Sequence, residues 1–373
     1  MDTYRKPQFF RVMQYAARAD RDVVDMVSGN PDWDPPEGLR DGLRDYAEAD
    51  ADEFQYAPSR GLKGLREEIA ARRDVAVDRV VVTNGAGEAN HLAMTGGLDH
   101  FPGGEILLTD PVYPYYAGRA NFLDAETTFV PVAGDGHLEP DAVRAAASEE
   151  TSVLVVNSPN NPTGAVYGAD AMAEFVAIAE EYDALLVSDE VYDHFDYAGR
   201  FTSALEQDSP NVVATNSFSK SMAITGFRVG YAVFPSPDGP TGDIVDRAGT
   251  RHMLTNVSGS RPAQYAVERA LQTTSPEYYA KCRRRLERRI DTFCAALDAA
   301  GAEYNRPEGG FYVMARFPEF AGSFENVYEL IDDAGVAGMP GEAFGESRSD
   351  WIRFALVTPR VEEAAERLAA FFE

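Results

Sequence analysis

Val153-Leu154-Val155-Val156-Asn157-Ser158-Pro159-Asn160-Asn161-Pro162-Thr163-Gly164, then a helical pattern from Ala169 to Tyr182, then Ala184-Leu185-Leu186-Val187-Ser188-Asp189-Glu190-Val191-Tyr192, is the stretch that decides the fold. Two short apolar runs, each bounded by turn residues and separated by an amphipathic stretch, read as strand, helix, strand. Runs this continuously apolar and β-branched are buried on both faces, which places them in a largely parallel sheet covered by helices.

The same pattern extends outward. Val80-Val81-Val82-Thr83, Ile106-Leu107-Leu108, Val212-Val213-Ala214-Thr215 and Val229-Gly230-Tyr231-Ala232-Val233 are further runs of this kind, and Glu88 to Gly97 carries apolar residues at helical spacing. The C-terminal third differs: Glu277 to Ala300 reads as one long helix, residues 309–314 and 351–356 as strands, and Val361 to Phe372 as a closing helix. The expectation is an α/β protein with a large, mostly parallel sheet domain over 46–245. A smaller α+β domain is expected from 1–45 and 246–373, with the seam near Pro235-Ser236-Pro237-Asp238-Gly239-Pro240.

With 373 residues, 45% hydrophobic, the chain can bury a large core and exceeds one small domain. It has no run of about 18 apolar residues, and Met1-Asp2-Thr3-Tyr4-Arg5-Lys6 lacks the apolar core of a signal peptide, so a cytoplasmic protein is expected. Cys282 and Cys294 show no Cys-x-x-Cys spacing and read as reduced and structural. The five histidines are scattered and suggest no metal site. A net charge of -27, from 61 acidic against 34 basic residues, disfavours nucleic-acid binding. Spread along the whole chain, that excess reads as a solvated acidic surface of the kind expected in a salt-adapted organism.

Against this background lysine is scarce. One of only four lysines, Lys220, lies in Ser217-Phe218-Ser219-Lys220-Ser221-Met222-Ala223-Ile224-Thr225-Gly226-Phe227-Arg228-Val229-Gly230. A guanidinium cannot form an imine, whereas a desolvated ε-amine can act as nucleophile and Schiff-base partner. Ser217, Ser219 and Arg228 offer hydroxyls and a cationic fork suited to a phosphate dianion. An amine beside a phosphate site suggests pyridoxal 5'-phosphate.

The other informative residues fall at strand ends, where such sheets bind ligands. Thr83-Asn84-Gly85-Ala86-Gly87-Glu88-Ala89 has a Gly-x-Gly but Asn90 where a dinucleotide fingerprint needs its third glycine. What remains is a glycine turn opening a helix, with amides at Ala86 and Gly87 free for a phosphate. Tyr113, at a turn, either stacks on a flat ring or packs as a loop aromatic. The amide-rich turn around Asn161 is either simple turn chemistry or a ring-oxygen donor. Asp189 ends a buried strand, where a carboxylate is costly without a cationic partner such as a pyridinium nitrogen.

Together these residues resemble the class I/II aminotransferases, pyridoxal-phosphate enzymes of fold type I. The resemblance spans nearly the whole chain in order: Ser28-Gly29-Asn30-Pro31, Tyr56 with Gly61 and Leu65-Arg66, the glycine turn at 85, Asp110-Pro111-x-Tyr113, Asn161-Pro162-Thr163-Gly164, Asp189-x-x-Tyr192, Ser217-x-Ser219-Lys220, Arg228-x-Gly230, Pro340-Gly341-x-x-Phe344-Gly345 and Arg353. It implies that Lys220 binds the cofactor aldehyde and shuttles a proton, that Asp189 partners the pyridine nitrogen, and that Asn161 and Tyr192 reach the ring oxygen. It further implies that Tyr113 stacks on the ring and that Ser217, Ser219, Arg228 and the amides of Ala86 and Gly87 hold the phosphate. Tyr56 would reach the phosphate of a neighbouring subunit, making a homodimer with shared sites. Arg353, Asn161 and the backbone at Gly29 would hold the substrate carboxylate.

The pattern departs from the family at Gly87, where a hydroxyl residue is often found, and Arg251 lies at the wrong spacing to serve as a second, side-chain-reading arginine. The implied activity is transfer of an L-α-amino group to a 2-oxo acid, ping-pong, through pyridoxamine phosphate. A decarboxylase, lyase or racemase of the same fold is the nearest alternative. A non-catalytic regulator that binds the cofactor is a more distant one.

Overall fold

The computed structural model describes residues 8–372, so the expectation about Met1–Lys6 lies outside the described residues. Seven strands form the large sheet: β1 (Val80–Thr83), β2 (Glu105–Asp110), β3 (Glu126–Pro131), β4 (Thr151–Asn157), β5 (Leu185–Asp189), β6 (Val212–Ser217) and β7 (Gly230–Val233). Their order is β1-β7-β6-β5-β4-β2-β3, with β7 antiparallel to both neighbours and the other pairs parallel.

The two faces of each central strand enter different cores, as period-two alternation requires. Val153, Val155, Leu185, Val187 and Val213 pack under the helices Ala86–His100 and Asp243–Asn256. Leu154, Val156, Leu186 and Val212 pack under the helix Ala169–Glu181 on the other side. This two-sided burial is why those strands are apolar throughout. Strand β3 was not among the expected runs, because it is the sheet edge: Glu126-Thr127-Thr128-Phe129-Val130-Pro131 pairs only with β2 and buries only Val130 fully.

The expected boundary at 245/246 is corrected, because it cuts through the helix Asp243–Asn256, whose Ile244, Val245 and Ala248 share the large-sheet core. The next helix, Arg261–Thr273, also packs there, with Ala266 and Val267 against Val80, Val82 and Leu39. Leu39, from the segment assigned to the small domain, therefore sits in a large-sheet core too. The Pro/Gly-rich stretch at 235–240 is a turn that returns the chain to the same sheet.

The smaller unit is built on β8 (Glu303–Tyr304), β9 (Tyr312–Arg316), β10 (Met339–Pro340) and β11 (Ile352–Ala355), in antiparallel order β10-β11-β9-β8. Ile352 and Phe354 of β11 face the small-domain core with the helices Pro276–Ala299 and Val361–Phe372, so Arg353 between them faces the opposite side. A register slip of one residue would exchange those faces. The N-terminal segment reaches the same region because Val24–Asp25 pairs in parallel with Val336–Ala337. No helix among the described residues is long and apolar enough to cross a membrane.

Candidate active site

The C-terminal ends of β4, β5 and β6, the start of the helix Ala86–His100, the loop after Asp25 and the outer face of β11 enclose a cavity of about 500 Å³. Lys220, Asp189, Asn161, Tyr192, Tyr113, Ser217, Ser219, Arg228, Arg353, Gly29, Ala86 and Gly87 all line it. Tyr56 does not: it lies elsewhere, 78% exposed.

Asp189 closes β5 with its carboxylate fully buried. Its Oδ2 accepts from Asn90 Nδ2 and from the Tyr116 hydroxyl, each at 2.6 Å, and Oδ1 accepts from Val191 N at 3.2 Å. Asn90 is itself held by Thr215 Oγ1 at 2.5 Å. Burial pushes the Asp189 pKa up, while the bonds from Tyr116, Asn90 and Val191 pull the other way. No cation among the described residues forms an ion pair with it.

Lys220 lies in the short helix Phe218–Ser221 that follows β6, capped by Ser217, whose Oγ accepts from Ser219 N at 3.4 Å. Its Nζ donates to the Gly29 carbonyl at 2.6 Å. Burial, then the positive charges of Arg353 and Arg228, lower its pKa to about 8. The Gly29 loop is fixed by Asp25, whose Oδ1 accepts from Val27 N at 2.8 Å and Ser28 N at 3.1 Å. A side chain at position 29 would collide with the Tyr312 hydroxyl. Tyr312 and Tyr192 meet hydroxyl to hydroxyl at 3.2 Å.

Arg353 is 1% exposed. Nη1 donates to Asn161 Oδ1 at 3.1 Å, Nη2 to the Val27 carbonyl at 2.6 Å, and Nε has no partner. The guanidinium lies 4.3 Å from the Tyr312 ring centre and 5.0 Å from that of Phe344. Burial lowers its pKa. Asn161 is held in turn by the Asn157 side chain, which accepts from Asn161 N at 2.7 Å and donates to the Asp189 carbonyl at 2.9 Å.

At the other end, Gly85 (φ 81°) opens the helix Ala86–His100 with no side-chain cap, and Ala86 and Gly87, whose amides have no intrahelical acceptor, line the cavity. A Cβ at Gly85 would strike the Arg228 guanidinium, so the glycine permits both the turn and the close approach. Arg228 donates only to carbonyls, Thr225 at 2.9 Å and Asn84 at 3.1 Å.

The cavity residues Asn90, Tyr116, Tyr312 and Arg119 escaped the sequence reading, as did Thr215, which holds Asn90 from behind. Asn90 had a signal, since it sits on the inward stripe with Ala86, Ala89 and Ala93, where a polar residue demands a buried partner. Arg251 lies outside the cavity, in an ion pair with Asp99.

What the cavity can do follows from the charges that the protein does not neutralise. An anion is called for at Arg228 and the helix start, a cation at Asp189, a carboxylate at Arg353, and an electrophile at Lys220.

An amine, a carboxylate and a guanidinium thus converge in one cavity at the strand ends of a mostly parallel sheet. Residues 21–368 match the family described as aminotransferase class I and II, and the chain belongs to that family. It is an aminotransferase. The aspartate/prephenate aminotransferase of Thermus thermophilus is 32% identical over 365 residues, which cover 93% of this chain and 90% of that protein. A solved aspartate aminotransferase from Thermus thermophilus with maleate superposes with a TM-score of 0.90 at 29% identity, covering 98% of this chain and 97% of that one. An alanine aminotransferase from Pyrococcus furiosus gives 0.91 at 28%, with coverages of 98% and 97%. These relatives' names differ in substrate, so family membership fixes the reaction class and leaves the donor open.

Proposed function

We propose that this chain binds pyridoxal 5'-phosphate and moves the amino group of an L-α-amino acid to a 2-oxo acid by a ping-pong mechanism. The observation that carries the reading is a set of unmatched charges in one cavity, the buried Asp189 and Arg353 and the half-buried Lys220, none with an ion-pair partner among the described residues. An unpaired buried charge costs several kcal/mol or more, so these together point to a ligand that completes them.

The cofactor supplies, when bound, an aldehyde for amino groups and an electron-poor ring that accepts the electron pair left at Cα. The protein does the rest. Lys220, at about 8, keeps roughly a tenth of its amines neutral at pH 7, enough to attack a carbonyl and then carry a proton at Cα. Asp189 holds a proton on the ring nitrogen. Asn161 and Tyr192 direct donors to the ring oxygen, Tyr113 covers a ring face, and Ser217, Ser219, Arg228 and the amides of Ala86 and Gly87 receive the phosphate. Arg353, with Asn161 and the Gly29 backbone beside it, would take the substrate carboxylate. A carboxylate held by a fixed guanidinium would be oriented and retained, which favours loss of the Cα proton over loss of carbon dioxide, and so transamination over decarboxylation.

The test is a panel of amino acids and 2-oxo acids offered to wild type and Arg353→Lys. Wild type is expected to form one new amino acid per 2-oxo acid released. In the variant the KM for amino acids should rise by about 100-fold, binding of a simple amine should stay the same, and carbon dioxide release should become detectable. Carbon dioxide as the main wild-type product would establish the decarboxylase alternative. Equal losses for amino acids and amines in the variant would place the carboxylate elsewhere.

The reading includes a cytoplasmic homodimer in which Tyr56 reaches the partner's phosphate site. In support, Phe54 and Tyr56 are exposed apolar residues, as are Leu254 in the last turn of the helix Asp243–Asn256 and Val257 just after it, and Arg261 at the start of the next helix donates to the Gln55 and Tyr56 carbonyls. It also includes adaptation to salt. A net charge of -27 repels itself in dilute buffer, so the melting temperature should be higher in molar salt than in dilute buffer, with most of the screening gain complete well before roughly 2 M. A flat profile over that range, measured by calorimetry, would refute the salt-adapted reading.

A further inference from the structure

Arg119 is the one cation lining the cavity to which none of the roles above has been assigned. It stands on the helix Pro114–Phe122, where Nη1 donates to the Tyr115 carbonyl at 3.1 Å and the guanidinium lies 5.9 Å from the Tyr115 ring centre. Its other end points across to the start of the helix Ala86–His100: Nη2 lies 2.9 Å from the point where a Cβ at Gly87 would be. Arg228 stands against Gly85 in the same way. Two guanidiniums thus flank one uncapped helical turn.

Neither has a carboxylate partner among the described residues, although the chain holds 61 acidic residues, and arginines elsewhere, such as Arg289 and Arg144, are paired with them. Two unpaired like charges beside a positive helix end repel one another until an anion with more than one negative charge lies between them.

We propose that Arg119 is the second guanidinium of the phosphate cup, filling the space that Gly87 leaves open, so that the two positions act as a unit. This rests on the pyridoxal-phosphate reading above. A substrate side-chain carboxylate is the other anion Arg119 could meet. Position favours the phosphate: Arg119 Nη2 meets the helix start at Gly87, close to where Arg228 meets it at Gly85, so both guanidiniums converge on the same uncapped amides.

The test is equilibrium dialysis of cofactor-free protein against pyridoxal phosphate and, separately, against pyridoxal, which lacks the phosphate. Arg119→Gln is expected to weaken pyridoxal phosphate by about 10- to 100-fold, the worth of a charge-assisted hydrogen bond, with pyridoxal unaffected. Gly87→Ser alone should weaken it less, because its Cβ displaces the guanidinium. Added to Arg119→Gln, the same serine should recover part of the loss, since its hydroxyl then faces the phosphate unobstructed.

Unaltered pyridoxal-phosphate affinity in Arg119→Gln would overturn the inference, as would equal losses for both ligands. An increase in KM for aspartate alone, with cofactor affinity intact, would also overturn it and move Arg119 to the substrate. A wild-type protein that bound neither ligand would overturn the cofactor reading itself, an outcome distinct from wild-type binding that ignores position 119.

Discussion

Lys220→Ala is expected to lower turnover by about 10⁴-fold or more, because one residue serves as both nucleophile and proton carrier, and each role alone is worth about 10²–10⁴-fold. The fold should survive. Lys220 bonds only the Gly29 carbonyl, which lines the cavity and can bond water in its place, and removing a desolvated cation relieves two neighbouring positive charges, Arg353 and Arg228. The melting temperature of the variant should therefore equal or exceed that of wild type, which separates loss of chemistry from loss of structure. Arginine at 220 should rescue nothing, because its guanidinium remains protonated. Steady-state rates, together with the absorbance of the lysine-bound cofactor, check both halves. An alanine variant with wild-type rates would remove Lys220 from the reaction.

Lys220 and Asp189 could be picked out of the sequence because each is chemically out of place, an amine in a chain that uses arginine and a carboxylate at the end of a buried strand, whereas Arg353 entered only through the family resemblance. The partners of these residues could not be picked out. Asp189 is held by Asn90, 99 positions earlier, and Tyr116, 73 positions earlier, and those distances close only when β5 and the helices Ala86–His100 and Pro114–Phe122 pack together. Tyr312 reads as a core strand residue, and only the approach of β9 to the Asp189–Tyr192 turn brings its hydroxyl to Tyr192. For the fold, two-sided burial wrote the central strands plainly, while the half-exposed edge strand β3 carries too mixed a pattern to be seen. The domain seam was misplaced for a related reason: proline and glycine mark a turn, and a turn that leads back to the same core looks locally like one that leaves it.

Asp189→Asn tests the electronic half of the site. The Oδ2 of Asp189 takes two donors whose positions are fixed, Asn90 by Thr215 and Tyr116 by its helix. An asparagine must therefore turn its oxygen toward them and set its NH₂ at the Oδ1 position, giving up the long bond from Val191 N; that NH₂ could donate to a ring nitrogen but could not keep a proton on it. Turnover is expected to fall by about 10²–10³-fold, the usual cost of losing one preorganised electrostatic contact, while retention of the cofactor falls much less, because the phosphate cup is untouched.

Stability should move in the opposite direction. Burial raises the Asp189 pKa, so in acid, where the group is protonated whether folded or unfolded, the carboxylate carries no penalty. The penalty enters as pH rises through the ordinary carboxylate range toward the raised value, and it is present in full above that value. Cofactor-free Asp189→Asn should accordingly match wild type in acid and melt higher at neutral pH. Single-turnover kinetics and calorimetry at two pH values read the two effects independently. A variant with unchanged kinetics and an unchanged melting temperature would reduce Asp189 to a turn residue, whereas slower chemistry on a more stable fold would show a carboxylate kept at the expense of stability for the charge it holds in place.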